Sequence, residues 1–513
     1  MPDPARRPHL LYVAWGFPPC RGSGVYRALA TANAFAADGW DVTVITTDRE
    51  MWERYTGSDP ALEAAVDPRI ELVRVPFAWP GMETDLRHWS RARVYVPGVW
   101  RRTRARLDKR PFPEIHYGPW RGPIERAALE AAVDPRIELV RVPFAWPGME
   151  TDLRHWSRAR VYVPGLWRRT RARLDKRPFP EIHYGPWRGP IEHAALEIHA
   201  RHRVDLAIAT ANPNVAFTAP WRLHREHGVP FVMDYRDAWS LNTFTGGRLT
   251  EPGSRPTRIE REMLRDAHEV WFVNEPIAEW HRGEYPESAA KMRVVMNGWD
   301  PEFDPGHPSS PAPTDRPLSF GYVGTVTPVV PMREFLDGWR LAHAAPELAG
   351  ATAHVHGFLG FYKTPRADLA ALVESGRDVG VSYDGPVSRT LLRETYAAYD
   401  ALLLVQGPGR YITGGKVFDY LSTGLPIVSV QDPTGHARDV LEGYPLWFPS
   451  ATLEPADVAA ALVEAARAAR ADDPAARLAA YDFARAYRRD QQLSPRIAAL
   501  RADLSLPAAE AAA

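Results

Sequence analysis

Residues 414–428 read GGKVFDYLSTGLPIV, a pattern that predicts a glycine turn, a short helix and then a buried strand. Gly414 and Gly415 leave backbone N–H groups accessible at the start of the helix, where a phosphate can approach closely and the helix dipole favours negative charge. Lys416 and Asp419 share the polar face of that helix, so the carboxylate can reach sugar hydroxyls. The stretch suits a nucleoside diphosphate, although an ordinary strand-helix-strand crossover would show the same local pattern.

Composition limits what the rest of the chain can be. With 513 residues, the chain exceeds the size at which one core keeps growing, so we expect two domains. Basic and acidic residues number 63 each, which argues against a nucleic-acid-binding protein, because such proteins carry a basic excess. The single cysteine, Cys20, fits a reducing compartment, and no apolar run approaches the roughly 20 residues that span a bilayer. We therefore expect a soluble cytoplasmic protein.

The first strand-helix-strand unit begins near the start of the chain. Residues 10–15 form a continuous apolar run, a helix with one apolar side follows the next glycine turn, and residues 40–46 give a second strand. This order is typical of a doubly wound domain. The turn at residues 22–24 lacks the third glycine of the dinucleotide-binding fingerprint, because Arg27 stands there. Without that glycine, a plain tight turn is the simplest interpretation.

A later strand of the same half ends in charged residues. Residues 229–239 read VPFVMDYRDAW, so Arg236 and Asp237 follow a buried strand at its carboxyl end. Ligands of open α/β sheets bind at such ends, but a salt bridge at the end of the strand would use the same residues. Residues 210–214 read TANPN and contain no histidine, so we assign no histidine as a catalytic base.

A second α/β series follows a linker. Residues 301–317 are rich in proline, aspartate and serine, as linkers are, and the apolar pattern resumes at residue 318. The buried strand at residues 401–405 then leads to the glycine turn of the opening stretch. We expect one domain at residues 1–300 and a second at residues 301–482.

An internal repeat of 67 residues lies within the first domain. Residues 62–128 recur as residues 129–195 with only two differences, Val99 against Leu166 and Arg126 against His193. Solenoid repeats diverge while keeping a pattern and need more than two copies, so a recent tandem duplication or an error in sequence assembly explains the repeat better. One copy is sufficient for the fold. Continuity with the upstream units favours the first copy in the sheet, with its strand at residues 70–75, and the second copy leads into the helix near residues 191–202, but the sequence does not decide which copy holds the sheet position.

Each copy also contains a segment rich in arginine and aromatic residues, at residues 87–106 and 154–173. These residue types suit an anionic membrane surface or a lipid-phosphate acceptor, and RNA-binding segments use them as well. A solvated loop and helix at the edge of the core is the plainest explanation of the segment.

Several of these elements, in their order along the chain, resemble the GT4-type glycosyltransferases of the GT-B fold. The likeness is carried by the Phe-Pro-Pro element with the turn at residues 22–24, by the Asp-x-Arg-Asp-x-Trp run at residues 234–239, by Asn-Gly-x-Asp at residues 297–300, and by the Lys-x-x-Asp-Tyr helix at residues 416–420. Asp419 stands where the family usually has a glutamate. Tyr411 stands where the fuller motif has its first acidic residue.

The resemblance implies an α/β fold of two Rossmann-like, doubly wound domains that face a cleft, with residues 483–513 crossing back to the first domain as a helix and tail. It also implies a retaining, metal-independent glycosyltransferase with a nucleoside-diphosphate sugar as donor and no cofactor. The acceptor would be a glycan, a lipid-linked molecule or a natural product, with peripheral contact to an anionic membrane as an option. Nucleic acid is not expected as a partner.

Residue by residue, the resemblance implies three groups of site residues. The catalytic group is Asp237, Arg236 and Lys416. The donor-binding group is Gly324, Thr325, Arg333, Gly385, Pro386, Val387, Thr413, Gly414, Gly415, Lys416 and Asp419. The acceptor and phosphate loop is Gly22, Ser23, Gly24 and Arg27.

Two other functions fit the same sequence. A sugar-nucleotide epimerase of GT-B fold would share the nucleotide site, but it needs acid and base groups in the cleft. A nucleotide-sugar-binding protein without catalytic activity is the other alternative, favoured by Tyr411 in place of an acidic residue and by the duplicated segment.

Overall fold

Two parallel sheets, one from each half of the chain, form the framework of the protein. The computed structural model describes residues 7–20, 24–47, 61–75, 173–174, 176–181, 184–301, 306, 309–310, 312, 316–360, 366–387, 391–471 and 473–506. The strands of the first sheet are β1 (His9–Val13), β2 (Asp41–Thr47), β3 (Ile70–Val75), β4 (Leu206–Thr210), β5 (Phe231–Tyr235), β6 (Glu269–Phe272) and β7 (Met292–Val294). The strands of the second are β8 (Ser319–Val323), β9 (Thr352–His356), β10 (Val381–Gly385), β11 (Ala401–Gln406), β12 (Ile427–Gln431) and β13 (Trp447–Pro449).

Both sheets have doubly wound topology. The first has the order β3-β2-β1-β4-β5-β6-β7 and the second has the order β10-β9-β8-β11-β12-β13. All neighbouring strands are parallel. The strand order therefore reverses between β1 and β4 in one sheet and between β8 and β11 in the other, and ligands of such sheets bind at the carboxyl ends of strands at these points.

Helices cover both faces of each sheet. Those of the first half are α1 (Val25–Ala37), α2 (Ala61–Ala64), α3 (Arg188–Arg201), α4 (Thr218–His227), α5 (Arg255–Asp266) and α6 (Glu275–Glu284). Those of the second half are α7 (Met332–Ala342), α8 (Ala367–Glu374), α9 (Leu392–Ala397), α10 (Lys416–Leu421), α11 (Ala437–Leu441), α12 (Pro455–Arg470) and α13 (Pro474–Arg485). A last helix, α14 (Arg489–Asp503), follows them.

The apolar runs of the sequence explain why the central strands are buried. Every residue of β1, β4, β5 and β11 is buried, as expected for parallel strands with helices on both faces. Two clusters of apolar side chains flank the first sheet, and two others flank the second. Each half of the chain therefore has its own core.

The chain passes between the two halves at two places that lie side by side. The Trp299 N–H donates to the Tyr487 carbonyl at 3.0 Å, and the Arg489 N–H donates to the Trp299 carbonyl at 2.8 Å. Gly298 has a φ of 60°, and a side chain there would stand 2.7 Å from the Tyr487 carbonyl, so the crossing requires glycine. The two crossings form one narrow joint.

Helix α14 packs against the first half although it follows the second in sequence. Leu493, Ile497 and Leu500 belong to the apolar cluster on one face of the first sheet. Arg501 forms an ion pair with Asp38 at 2.6 Å. The end of the described chain thus returns to the first half.

The sheet takes its edge strand from the first copy of the repeat, because β3 pairs with β2. The second copy supplies residues 188–195 at the start of α3, which leads into β4. This division matches the one expected from the sequence. Residues 76–172, with the arginine-rich segments except for Arg173, lie outside the described residues. Among the residues that the structure describes, no helix is long and apolar enough to cross a membrane.

Candidate functional site

A cavity of about 500 Å³ lies between the carboxyl ends of the two sheets. Both halves of the chain line it. The first half contributes Tyr26, Arg27, Arg236, Asp237, Thr243, Asn297 and Gly298, among others. The second half contributes Gly324, Thr325, Pro386, Val387, Tyr396, Tyr411, Thr413, Gly414, Gly415, Lys416, Asp419 and Arg489, among others. Most of the site residues predicted from the sequence therefore meet in one place.

Lys416 is a cation that lines the cavity from the second half, and it stands at the first position of α10. Its Nζ donates to the Val405 carbonyl at 2.6 Å and lies 4.5 Å from the centre of the Tyr322 ring. Burial lowers the pKa of the Lys416 ammonium to about 7, because the protein replaces its water without supplying a carboxylate that compensates. The charge of Lys416 therefore depends on pH and on an anion bound beside it.

The glycines around Lys416 keep the cavity open. A side chain added at Gly324 would lie 3.4 Å from the Lys416 Cδ, whereas one added at Gly415 would meet nothing within 4 Å. Asp419 lies one turn further along α10 and lines the same cavity. The geometry thus puts exposed backbone, a lysine and a carboxylate along one wall.

Apolar residues line the cavity beyond α10. Pro386 and Val387 follow β10, and they lie with Leu392 and Tyr396 of α9 along the wall. Gly385 does not line the cavity; with a φ of 79°, it turns the chain there, and its carbonyl accepts a hydrogen bond from the Gly357 N–H at 3.0 Å. These side chains give this part of the wall a largely apolar surface.

Arg236 is a cation of the opposite wall, and it packs directly on Gly24. A side chain added at Gly24 would stand 1.0 Å from the Arg236 Nη1, so the guanidinium occupies the space that the glycine leaves and would have to move for a larger residue. The Arg236 Nε lies 3.3 Å from the Asp237 Oδ2, and its Nη2 lies 3.5 Å from the Asn212 carbonyl. Arg236 is about one quarter exposed and Asp237 about half exposed, so both remain accessible to a ligand.

Arg27 lines the cavity but is already paired. Its guanidinium donates to both carboxylate oxygens of buried Asp234, with the shortest contact at 2.6 Å, and to the Val295 carbonyl at 2.7 Å. Sequence reasoning expected Arg27 to face an anionic group. In the structure it lines the cavity and also links α1, β5 and the chain that enters the joint.

Arg333 does not line this cavity, in contrast to its predicted place in the donor site. It lies at a separate cavity of about 480 Å³ with Glu334, Asp368 and Asp432. The reason is the phase of α7: Met332 at its first position is fully buried, so Arg333 points to the exposed side. Gly22 and Ser23 lie outside the described residues.

Several contributors escaped the sequence reasoning, among them Tyr26 and Thr243 of the cavity wall as well as Arg489 and Asn274. Arg489 reaches the cavity from the second crossing and forms an ion pair with Asp300 at 2.5 Å. Asn274 holds the loop before Lys416 by donating to the Tyr411 carbonyl at 3.1 Å. Asn274 had a local signal, since Asn-Glu-Pro is a typical helix start, but Arg489 had none.

Among the described residues, no group of three or more His, Cys, Asp or Glu side chains is arranged to hold a metal ion.

Solved structures of similar fold match nearly the whole chain, although no protein-family model and no curated protein matches it. A glycosyltransferase from Rickettsia africae is 10% identical, with a TM-score of 0.58 over 98% of this chain and 99% of that one. HepE from Anabaena, in complex with UDP, is 12% identical, with a TM-score of 0.53 over 96% and 100%. A candidate UDP-N-acetylglucosamine 2-epimerase from Listeria monocytogenes is 8% identical, with a TM-score of 0.51 over 98% and 97%. At these identities the likeness establishes the fold, which is the two-domain GT-B fold predicted from the sequence.

Proposed function

We propose that the protein is a glycosyltransferase that takes a nucleoside-diphosphate sugar as donor, in the manner of the GT4-type enzymes. The observation that carries the proposal is the convergence of Arg236 and Lys416, from opposite halves of the chain, on one cavity whose wall includes Gly414 and Gly415. Two cations and exposed backbone N–H groups suit a diphosphate.

The donor would lie along the second half of the chain. Gly324, Thr325, Thr413, Gly414, Gly415 and Lys416 would surround the diphosphate, and Asp419 would accept hydrogen bonds from the ribose hydroxyls. Pro386 and Val387 would contact the base. The solved HepE structure contains UDP, which supports a nucleotide partner for this fold.

Catalysis would depend on stabilising the negative charge of the departing diphosphate. As the bond between sugar and phosphate breaks, negative charge grows on the diphosphate, and Lys416 and Arg236 would stabilise it from either side. Asp237 would keep Arg236 in place through the contact at 3.3 Å. We propose that these side chains meet the charge without a metal ion, and that the reaction retains the configuration of the sugar as the family resemblance implies.

The acceptor would approach from the first half of the chain. Tyr26 and Thr243 line that side of the cavity, and both have hydroxyl groups that can bind polar groups of a glycan, a lipid-linked molecule or a natural product. A lipid-linked acceptor would bring the protein to a membrane surface.

The experiment is a thermal-shift screen of sugar nucleotides, followed by product analysis with and without candidate acceptors. We expect one nucleoside-diphosphate sugar to raise the unfolding temperature and its sugar to appear on an acceptor. A changed sugar nucleotide formed without acceptor would instead identify an epimerase, the activity named for the Listeria structure of the same fold. Binding with neither transfer nor hydrolysis would identify a binding protein. No binding of any sugar nucleotide would overturn the proposal.

A further inference from the structure

The side chain of Asn274 joins the two halves of the chain beside the cavity. It is almost completely buried and caps α6, because its Oδ1 accepts a hydrogen bond from the Ile277 N–H at 3.0 Å. Its Nδ2 points the other way and donates to the Tyr411 carbonyl and to the Thr413 Oγ1, both at 3.1 Å. One amide therefore ends a helix of the first half and holds a loop of the second.

That loop, residues 409–413, is seated on the first half by further contacts. The Tyr411 ring packs against the apolar cluster of the first sheet, and a side chain added at Gly246 would stand 3.1 Å from the Tyr411 Cε2. Arg410 and Glu279 form an exposed ion pair at 3.5 Å. Because exposed ion pairs contribute little, the buried amide and the ring are the contacts that matter.

The same loop leads directly into the proposed diphosphate site. On its other side, the Gln406 Nε2 donates to the Ile412 carbonyl at 3.4 Å, and Gly414 follows two residues later. A shift of the loop would therefore move Gly414, Gly415 and Lys416 relative to Arg236, which belongs to the first half and contacts Asp237 and the Asn212 carbonyl there.

We propose that Asn274 is a positioning residue: by holding residues 411–413 against the first half, it sets the spacing between Lys416 and Arg236 at which both reach one diphosphate. The catalytic consequence rests on the proposed function. The contact between the halves does not rest on it, and it can be tested without nucleotide.

The test measures cross-linking across the two halves. Glu279→Cys and Arg410→Cys replace the exposed ion pair, and a short bis-maleimide joins the two thiols when the halves are in contact. The native Cys20 is buried, so the added thiols are the reactive ones. We compare the rate of cross-linking in protein with Asn274 and with Asn274→Ser, because serine still caps the helix but is too short to reach Tyr411.

We expect Asn274→Ser to slow the cross-linking about ten-fold, the loss that follows from two buried hydrogen bonds. Asn33→Ser is the matched control, because Asn33 also accepts from a backbone N–H and donates to a carbonyl, but both partners belong to the first half. It should cross-link at the parental rate. An unchanged rate in Asn274→Ser would overturn the proposal.

A second variant approaches the contact from the other half, in case Asn274→Ser does not fold. Thr413→Val removes one acceptor of Asn274 and keeps the shape of the side chain. We expect slower cross-linking there as well, and an unchanged rate would count against the proposal in the same way.

Activity gives the final measurement. If the protein transfers sugar, Asn274→Ser should lower kcat about ten-fold and change the KM of the donor much less, because the diphosphate contacts of the second half remain. Equal loss in Asn33→Ser would point to general destabilisation and overturn the positioning role. Parental protein that cross-links as expected but binds no sugar nucleotide would overturn the proposed function and leave the Asn274 contact standing.

Discussion

Arg236 and Lys416 face the same cavity from opposite halves of the chain, but the protein holds them in different ways. Arg236 packs against Gly24, which has no side chain, and the Arg236 side chain is about one quarter exposed. A guanidinium keeps its charge at any ordinary pH. Lys416 is enclosed by Tyr322 and the Val405 carbonyl, and burial lowers its pKa to about 7. One wall therefore has a permanent charge, and the other gains a full charge when an anion binds.

The largest expected effect comes from Gly24→Ala. The new methyl group would displace the Arg236 guanidinium from the place where it faces Lys416, so transfer should fall about 100-fold. Gly283→Ala is the control, since a methyl group there also meets nothing within 4 Å and Gly283 does not line the cavity. Initial rates with a saturating donor decide the matter, after circular dichroism has shown that both variants are folded. Full activity of Gly24→Ala would mean that Arg236 takes no part.

The pH dependence of binding separates the two cations. Because the pKa of free Lys416 is about 7 and a bound diphosphate raises it, binding takes up a proton above pH 7, and affinity should fall as pH rises from 7 to 9. Lys416→Met should bind a nucleoside diphosphate about 2 kcal/mol more weakly at pH 7 and lose this decline.

Arg236→Gln provides the comparison for that measurement. It should weaken binding by a similar amount at pH 7 but keep the decline, because Lys416, the group to which we assign the proton, is still present. Calorimetric titration at several pH values, in buffers of different ionisation heat, counts the proton directly. Proton uptake that persists in Lys416→Met would assign it to another group.

Asp419→Asn tests the ribose contact and should cost roughly 1–3 kcal/mol of nucleotide affinity, because the amide keeps the shape of aspartate but not its charge. A 2′,3′-dideoxy nucleoside diphosphate should bind both proteins about equally. If the dideoxy ligand loses as much affinity as the ordinary one, Asp419 acts on α10 or Lys416 rather than on ribose.

Deletion of residues 62–128 has the smallest expected effect. It joins Ala61 to Leu129 and restores the local sequence, and the second copy then supplies the edge strand. The deletion keeps Glu181, whose carboxylate accepts hydrogen bonds from the Asn214 N–H at 3.0 Å and the Val215 N–H at 2.8 Å. These residues follow Asn212, whose carbonyl contacts Arg236. Activity and unfolding temperature should be unchanged or slightly higher. A loss of either would show that the extra copy has a task of its own.

The sequence predicts the two sheets well, because their strands are continuous apolar runs that alternate with helices. It also predicts which loops meet, since the carboxyl ends of parallel strands share one edge of a sheet. The rule places Arg236 at such an edge of the first sheet and the loop before Lys416 at one of the second, whereas the cleft that brings the two edges together was implied by the resemblance to GT4-type enzymes.

Contacts between distant parts of the chain were harder to foresee. Arg27 and Asp234 are 207 residues apart, so nothing local indicates that they pair rather than bind a ligand. The direction of the Arg333 side chain depends on which face of α7 is buried. A shift of one residue along a helix turns a side chain by about a quarter of the circumference. The loop at Tyr411 shows the same limit, because its partner Asn274 lies in the other half.

Helix α14 has a consequence for how the protein is made on the ribosome. Leu493, Ile497 and Leu500 complete a cluster whose other members, such as Leu10, Phe35 and Trp40, are synthesised more than 400 residues earlier. The nascent first half therefore emerges before α14 is made, and the apolar surface that α14 covers lacks this helix until the whole second half has been translated. Such a surface is a natural substrate for chaperones that bind nascent chains. Assembly of the protein ends where it began, when the last described helix returns to cover the first strands.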